Sequence, residues 1–164
     1  ALGLFTAIAR LRAVYKRLKE PLEGLGLPLY AQHVDEIDAG TLVDIFRSEV
    51  NSCLLGTDAV REGIDVAGRS LRLLVLERVP WARPDLVHKA RTAHFGGRAY
   101  EEEIARRRIT QAFGRLIRRG DDKGVFVILG AQVPSRLLSG VPAGVEIERT
   151  GLAEAARQIA EFLI

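Results

Sequence analysis

Short apolar runs that alternate with amphipathic segments constrain this chain more than any other feature. The runs are Leu2 to Phe5, Leu27 to Ala31, Ser52 to Leu55, Leu71 to Leu76 and Val125 to Leu129. Such a pattern is expected when helices cover both faces of a mostly parallel sheet, so the fold class is α/β. Between the runs, Ile8, Leu11, Tyr15, Leu18 and Leu22 recur on one helical face, and Gly24 and Gly26 stop that helix. A second helix is expected from Thr41 to Val50, a long helical stretch up to about Arg119, and a closing amphipathic helix from Leu152 to Leu163. Leu71 to Leu76 is the most apolar run and is expected at the centre, while Val145 to Ile147 alternates like an edge strand. Pro80 and Pro84 flank Trp81 and make a rigid loop of residues 79–85, because proline sustains neither a ladder nor a helix interior.

Composition narrows the function classes. The 164 residues fit one domain and can bury a core without disulfides; residues 1–164 contain no repeat, low-complexity tract or linker. No apolar run approaches the ~20 residues that span a bilayer and no signal peptide opens the chain, so the expectation is a cytoplasmic protein with no membrane partner. The first residue is Ala1, methionine is absent, and the sequence reads as an excised fragment. Cys53 alone makes neither a disulfide nor a multi-cysteine zinc or iron–sulfur site. His33, His88 and His94 show no metal-ligand spacing, and Glu101, Glu102 and Glu103 read as a solvated helix start. The net charge of +3 allows a nucleic-acid partner without arguing for one.

The helix leading to Arg119 carries two opposed stripes. Ile109, Ala112, Phe113, Leu116 and Ile117 form the apolar one; Gln111, Gly114, Arg115 and Arg118 fall at i, i+3, i+4 and i+7 on the other. An amide, a gap and two guanidinium groups suit a polyanion, and a solvated arginine face is the alternative. Gly114 costs about 1 kcal/mol relative to alanine inside a helix, which suggests that another group approaches the backbone there.

The segment Gln111-Ala-Phe-Gly114-Arg115-Leu-Ile117-Arg118, followed by Asp122 and Gly124, resembles the last helicase motif of the XPD and DinG families. The resemblance implies that Gln111, Arg115 and Arg118 face a triphosphate across a cleft, the arginines as fingers on the transferring phosphoryl group. Upstream, Leu55-Gly56-Thr57-Asp-Ala-Val-Arg61-Glu62-Gly63-Ile-Asp65 is similar to the family's preceding motif, a strand end leading into a glycine-marked turn. By that resemblance Thr57 meets the nucleic-acid backbone, with Arg61 beside it, while Glu62, Gly63, Asp65 and Gly114 lie toward the nucleotide. Val60 and Arg61 stand where many relatives carry aromatics. Phe5-Thr6 resembles the opening motif, with Ala7 where serine is common; the Thr6 hydroxyl either meets a phosphate or caps the next helix. Gln32 matches a weaker position. Pro80-Trp81-Ala-Arg83-Pro84-Asp85 resembles a family loop in which Trp81 either stacks on a base or packs on the core.

No Gly-x-x-x-x-Gly-Lys-Ser/Thr loop occurs, and no Asp-Glu pair ends an apolar strand to hold magnesium. The resemblance, from Leu2 to Leu163, is to the second of two RecA-like domains. It implies a motor part that closes on ATP and Mg2+ bound mainly by a first motor domain and grips single-stranded DNA, with no iron–sulfur cluster in this chain. An RNA-directed translocase domain and a degenerate α/β module binding nucleic acid or protein are the alternatives.

Overall fold

The computed structural model describes residues 1–63, 65–66, 68–118, 120 and 122–163. Five strands form one sheet: β1 (Leu2–Leu4), β2 (Leu29–Ala31), β3 (Cys53–Gly56), β4 (Leu73–Leu76) and β5 (Val125–Ile128). Their order is β2-β3-β1-β4-β5 and every pair is parallel, with Leu2 opposite Leu54 on one side and Leu74 on the other. The middle strand is therefore β1; β4, expected at the centre, lies beside it.

Successive side chains of a strand point to opposite faces, and the apolar residues sort accordingly. On one face, Leu2, Leu4, Leu54, Leu74 and Leu76 pack against α2 (Ala39–Ser48) and α5 (Arg98–Leu116), where Leu42, Val43, Phe46, Ala105, Ile109, Ala112 and Leu116 are buried. On the other, Phe5, Leu29, Ala31 and Leu55 meet Leu11 and Tyr15 of α1 (Ile8–Gly24). Helices thus cover both faces, as the alternating pattern implies. The α1 stripe is narrower than expected, since Ile8 and Leu18 are exposed. Asp38 caps α2 by accepting from the Thr41 amide at 3.0 Å, which starts that helix before the expected Thr41.

Four features differ from the sequence reading. A short helix, α3 (Asp58–Gly63), replaces the simple turn after β3. The long helical stretch is two helices, α4 (Leu86–His94) and α5, broken where Gly96 and Gly97 take φ of 104° and 61°. Only glycine adopts that backbone cheaply. Residues 145–147 form no strand: Val145 and Ile147 are exposed, and Arg149 fastens this segment through the Val133 carbonyl at 2.6 Å. Glu102 is not solvated but buried on α5, taking hydrogen bonds from Arg136 at 2.6 and 2.7 Å and from Arg98 at 3.0 Å.

The final helix, α6 (Leu152–Leu163), has the expected extent, yet none of its residues is buried. No helix among the described residues is long and apolar enough to cross a membrane.

Candidate functional site

In a parallel sheet all strands end on one side, and side chains just past those ends share one edge. Here that edge carries Thr6 after β1, Gln32 and His33 after β2, Thr57 after β3, and Glu77 after β4. Gln32 organises its part of the edge. It is buried, and its Oε1 accepts from the Thr57 amide at 2.9 Å and from the Thr57 hydroxyl at 2.8 Å. The Thr57 Oγ1 also lies 3.5 Å from Nε2 of His33. His33 takes a left-handed φ of 65°, and its carbonyl accepts from Nε and NH2 of Arg12 at 3.2 and 3.0 Å.

Thr6 does not cap the next helix, the second of the two roles its sequence allows. The α1 N-cap is Ala7, with no side-chain cap, and the Thr6 hydroxyl donates to Glu77 Oε2 at 3.1 Å. Glu77 is also paired with Arg10 and Arg78. Burial pushes the Glu77 carboxyl up, but the donors on Arg78, Arg10 and Thr6 outweigh it and hold it below the usual carboxylate range. One carboxylate shared by two guanidinium groups leaves this stretch of the edge net positive.

The second group of residues gathers where the end of α5 meets α3 and the chain after it. Apolar burial orients α5: Ile109, Ala112, Phe113 and Leu116 face the core, which turns Gln111, Gly114 and Arg115 outward. Arg115 NH2 donates to the Glu62 carbonyl at 3.4 Å. Arg118 pairs with Asp65. Residues from the two sequence motifs therefore meet side by side. Gly63 ends α3, the Glu62 side chain is 75% exposed, and Ile64 lies outside the described residues. A Cβ on Gly114 would find open space: among the described residues nothing lies within 4 Å of it.

Two expectations at this site change. The helix ends at Leu116 and Arg119 lies outside the described residues, so Arg118 is not on the last turn of α5. Ile117 is already extended, with φ −114° and ψ 112°, and the Arg118 amide donates to the Asp122 carboxylate at 2.8 Å instead of continuing the helix. Arg61, expected beside a strand, is only 6% exposed and lies 3.8 Å from the Glu62 carboxylate; a strand would reach it only after the packing around it moved.

The sequence reading passed over Arg108, although it extends the polar stripe one step back, three residues before Gln111 and seven before Arg115. Its NH1 donates to the carbonyls of Pro80 and Trp81, both at 3.2 Å. The stripe therefore runs from the Trp81 loop to the Asp65 pair. His33 gave less warning, since its place beside Thr57 depends on β2 and β3 being neighbours.

The sequence matches the family model of the helicase C-terminal domain over residues 1–138. It is 32% identical over 139 residues to the ATP-dependent helicase DinG of Mycobacterium tuberculosis (strain H37Rv), covering 80% of this chain and 20% of that protein. The 3'-5' exonuclease DinG of Bacillus subtilis (strain 168) is 30% identical over 141 residues, 80% of this chain and 15% of its own. The ATP-dependent DNA helicase YoaA of Escherichia coli (strain K12) is 38% identical over 109 residues, 62% of this chain and 17% of its own. The chain thus spans about a fifth or less of the length of these relatives. The family match stops at residue 138, short of the expected reach to Leu163, and leaves α6 outside it. Because the match takes in most of a chain whose all-parallel sheet and covered faces are those expected of a RecA-like domain, the chain belongs to the helicase C-terminal domain family, in its DinG-type branch.

Proposed function

We propose that this chain is the second motor domain of an ATP-dependent DNA helicase, completing an ATP site held mainly by a first domain and gripping single-stranded DNA. The observation that carries this reading is that one short segment, residues 57–65, reaches both sets of residues. Its start is fixed at the sheet edge by Gln32 and its end touches Arg115 and Arg118. On this reading a displacement at the arginines passes to Thr57 by way of α3.

When bound, ATP and Mg2+ supply the phosphoanhydride hydrolysis that drives the cycle. The residues here fit the edge of such a site: an exposed amide at Gln111, a bare backbone at Gly114, and two guanidinium groups whose planar forks match phosphate oxygens. Asp65 pairs with the Arg118 guanidinium, which is one-third exposed and keeps donors for a phosphate. Glu62 and Asp65 would repel a triphosphate by themselves, so their part is to orient the arginines. On the other side Arg10 and Arg78 stand beside Thr6, and the Thr57 hydroxyl reaches a phosphate oxygen by giving up its bond to Gln32; such contacts take a backbone irrespective of base. The lone Cys53 gives this chain too few thiolates to hold an iron–sulfur cluster by itself.

The test uses the full-length parent protein. Replacing Arg115 and Arg118 together by alanine is expected to abolish DNA-stimulated ATP hydrolysis while DNA still binds. Thr57→Ala is expected to raise the DNA concentration needed for half-maximal stimulation and leave turnover at saturating DNA nearly intact. Parental hydrolysis in the double variant would overturn the reading.

A further inference from the structure

Trp81 stands in the loop that follows β4. It is 39% exposed and forms the wall between two clefts of about 360 and 410 Å3. Arg83, Arg91 and Arg108 line the first cleft, and Arg10 and Arg78 line the second. The loop that carries the ring is fixed at both ends. Arg108 binds the carbonyls of Pro80 and Trp81, and Arg83 NH2 donates to the Thr6 carbonyl at 3.1 Å. Pro80 and Pro84 restrict the backbone on either side of residues 81–83. A core-packing tryptophan needs none of this; a ring held out between cationic walls at fixed height is arranged to receive a flat partner.

Position identifies the partner. Thr57 follows β3 and Trp81 follows β4, with β1 between them. Neighbouring strands are spaced by ~4.8 Å, so the ends of β3 and β4 are roughly 10 Å apart along the edge; Thr57 directly follows the first and Trp81 stands five residues past the second. We propose that Trp81 is a stacking platform for a base of the single strand whose backbone Thr57 holds, with the flanking arginines meeting the adjoining phosphates. Base–aromatic stacking is sequence-tolerant, because every base has a π-face, and a ring already held in place loses little freedom on binding. This inference rests on the strand-gripping reading above and adds to it a contact with a base.

Trp81 is the sole tryptophan in the sequence, so its fluorescence reports the ring alone. The chain is titrated with a thymidine oligonucleotide and with an abasic deoxyribose-phosphate oligomer of equal length. Expected are quenching by the first but not the second, and about tenfold weaker binding of the thymidine strand by Trp81→Ala with little change for the abasic one. Trp81→Phe keeps a stacking face and is expected to bind near the parental level, which separates stacking from a folding defect. If both oligomers bind in a salt-dependent way and Trp81→Ala loses nothing, the platform is wrong and the strand reading stands. If neither binds, both fall.

Discussion

Arg118 differs from Arg107 of α5 in what holds it. Arg107 is 73% exposed and pairs with Glu103 one turn away, an arrangement worth little in water. Arg118 is anchored by a residue 53 positions earlier in the chain and stands beyond the helix end. Arg118→Ala in the full-length parent is expected to reduce DNA-stimulated turnover by about 10³- to 10⁵-fold, the range for arginine fingers, with ATP affinity changed far less. Arg118→Lys restores little, since a point charge lacks the fork, and Arg107→Ala is the silent control. Steady-state kcat and KM for ATP decide it: equal turnover in Arg118→Ala and Arg107→Ala removes the finger assignment. Gln32 acts one step away, through Thr57. Gln32→Ala leaves the Thr57 amide without its side-chain acceptor, a loss of about 1–3 kcal/mol where the group is buried. It is expected to raise the DNA concentration for half-maximal stimulation several-fold and spare kcat at saturating DNA. A purely structural glutamine would lower kcat and DNA affinity together.

At the scale of elements, the site depends on how closely α3 follows β3. A Cβ on Gly56 would come within 2.6 Å of Val60 Cβ, with both Val60 methyl groups inside 3 Å, and no flexible side-chain end is there to yield. Gly56→Ala must therefore push α3 off the strand, at a cost of roughly 1–3 kcal/mol as for other overpacked sites. Gly24→Ala, whose added methyl meets nothing within 4 Å, should be neutral or slightly stabilising. Urea midpoints at constant m-value make the comparison. A second element contact is the tie between α5 and the turn after β5. Hydrogen bonds from Arg136, with help from Arg98, outweigh the opposing effect of burial and lower the Glu102 pKa from 4.5 to about 2. A carboxyl whose folded value is depressed contributes stability above its unfolded value and loses it as the pH falls through the folded one. That contribution should be full above about pH 4.5 and fade toward pH 2. Glu102→Gln is expected to lower Tm at neutral pH and flatten its decline over that window; an unchanged slope would mean the pair contributes nothing to folding.

For the whole molecule, what could be read from the sequence depended on where the information lay. The strands β1 to β5 were legible because double burial leaves uninterrupted apolar runs, and the buried stripe of α5 was legible because its spacing is local. The edge strand expected at residues 145–147 failed because alternation over three residues supplies no partner for its backbone groups. The α6 helix was legible from its amphipathic pattern, whereas its lack of a burial partner was not: Leu152 and Phe162 are 77% and 57% exposed. At the site, Gln111, Arg115 and Arg118 stood out as a stripe, but the pairing of Arg118 with Asp65 and of Gln32 with Thr57 arises only when the sheet order brings distant segments together. The last prediction belongs at this scale too. On the proposed reading this chain supplies only the arginine side of a nucleotide site, and its sequence has neither a phosphate loop nor an Asp-Glu pair at a strand end. Transition-state charge stabilisation accelerates hydrolysis only if the triphosphate is already held and its metal placed, so a guanidinium group acting alone has nothing to act on. The isolated chain is therefore expected to show no ATP hydrolysis above background, with or without single-stranded DNA, although it binds that DNA with an affinity that falls as salt is added. Phosphate release measured across successive purification steps settles the point. Activity that co-purifies with this polypeptide and disappears in Arg118→Ala would mean that the chain holds ATP unaided, and the division of the site between two domains would have to be given up.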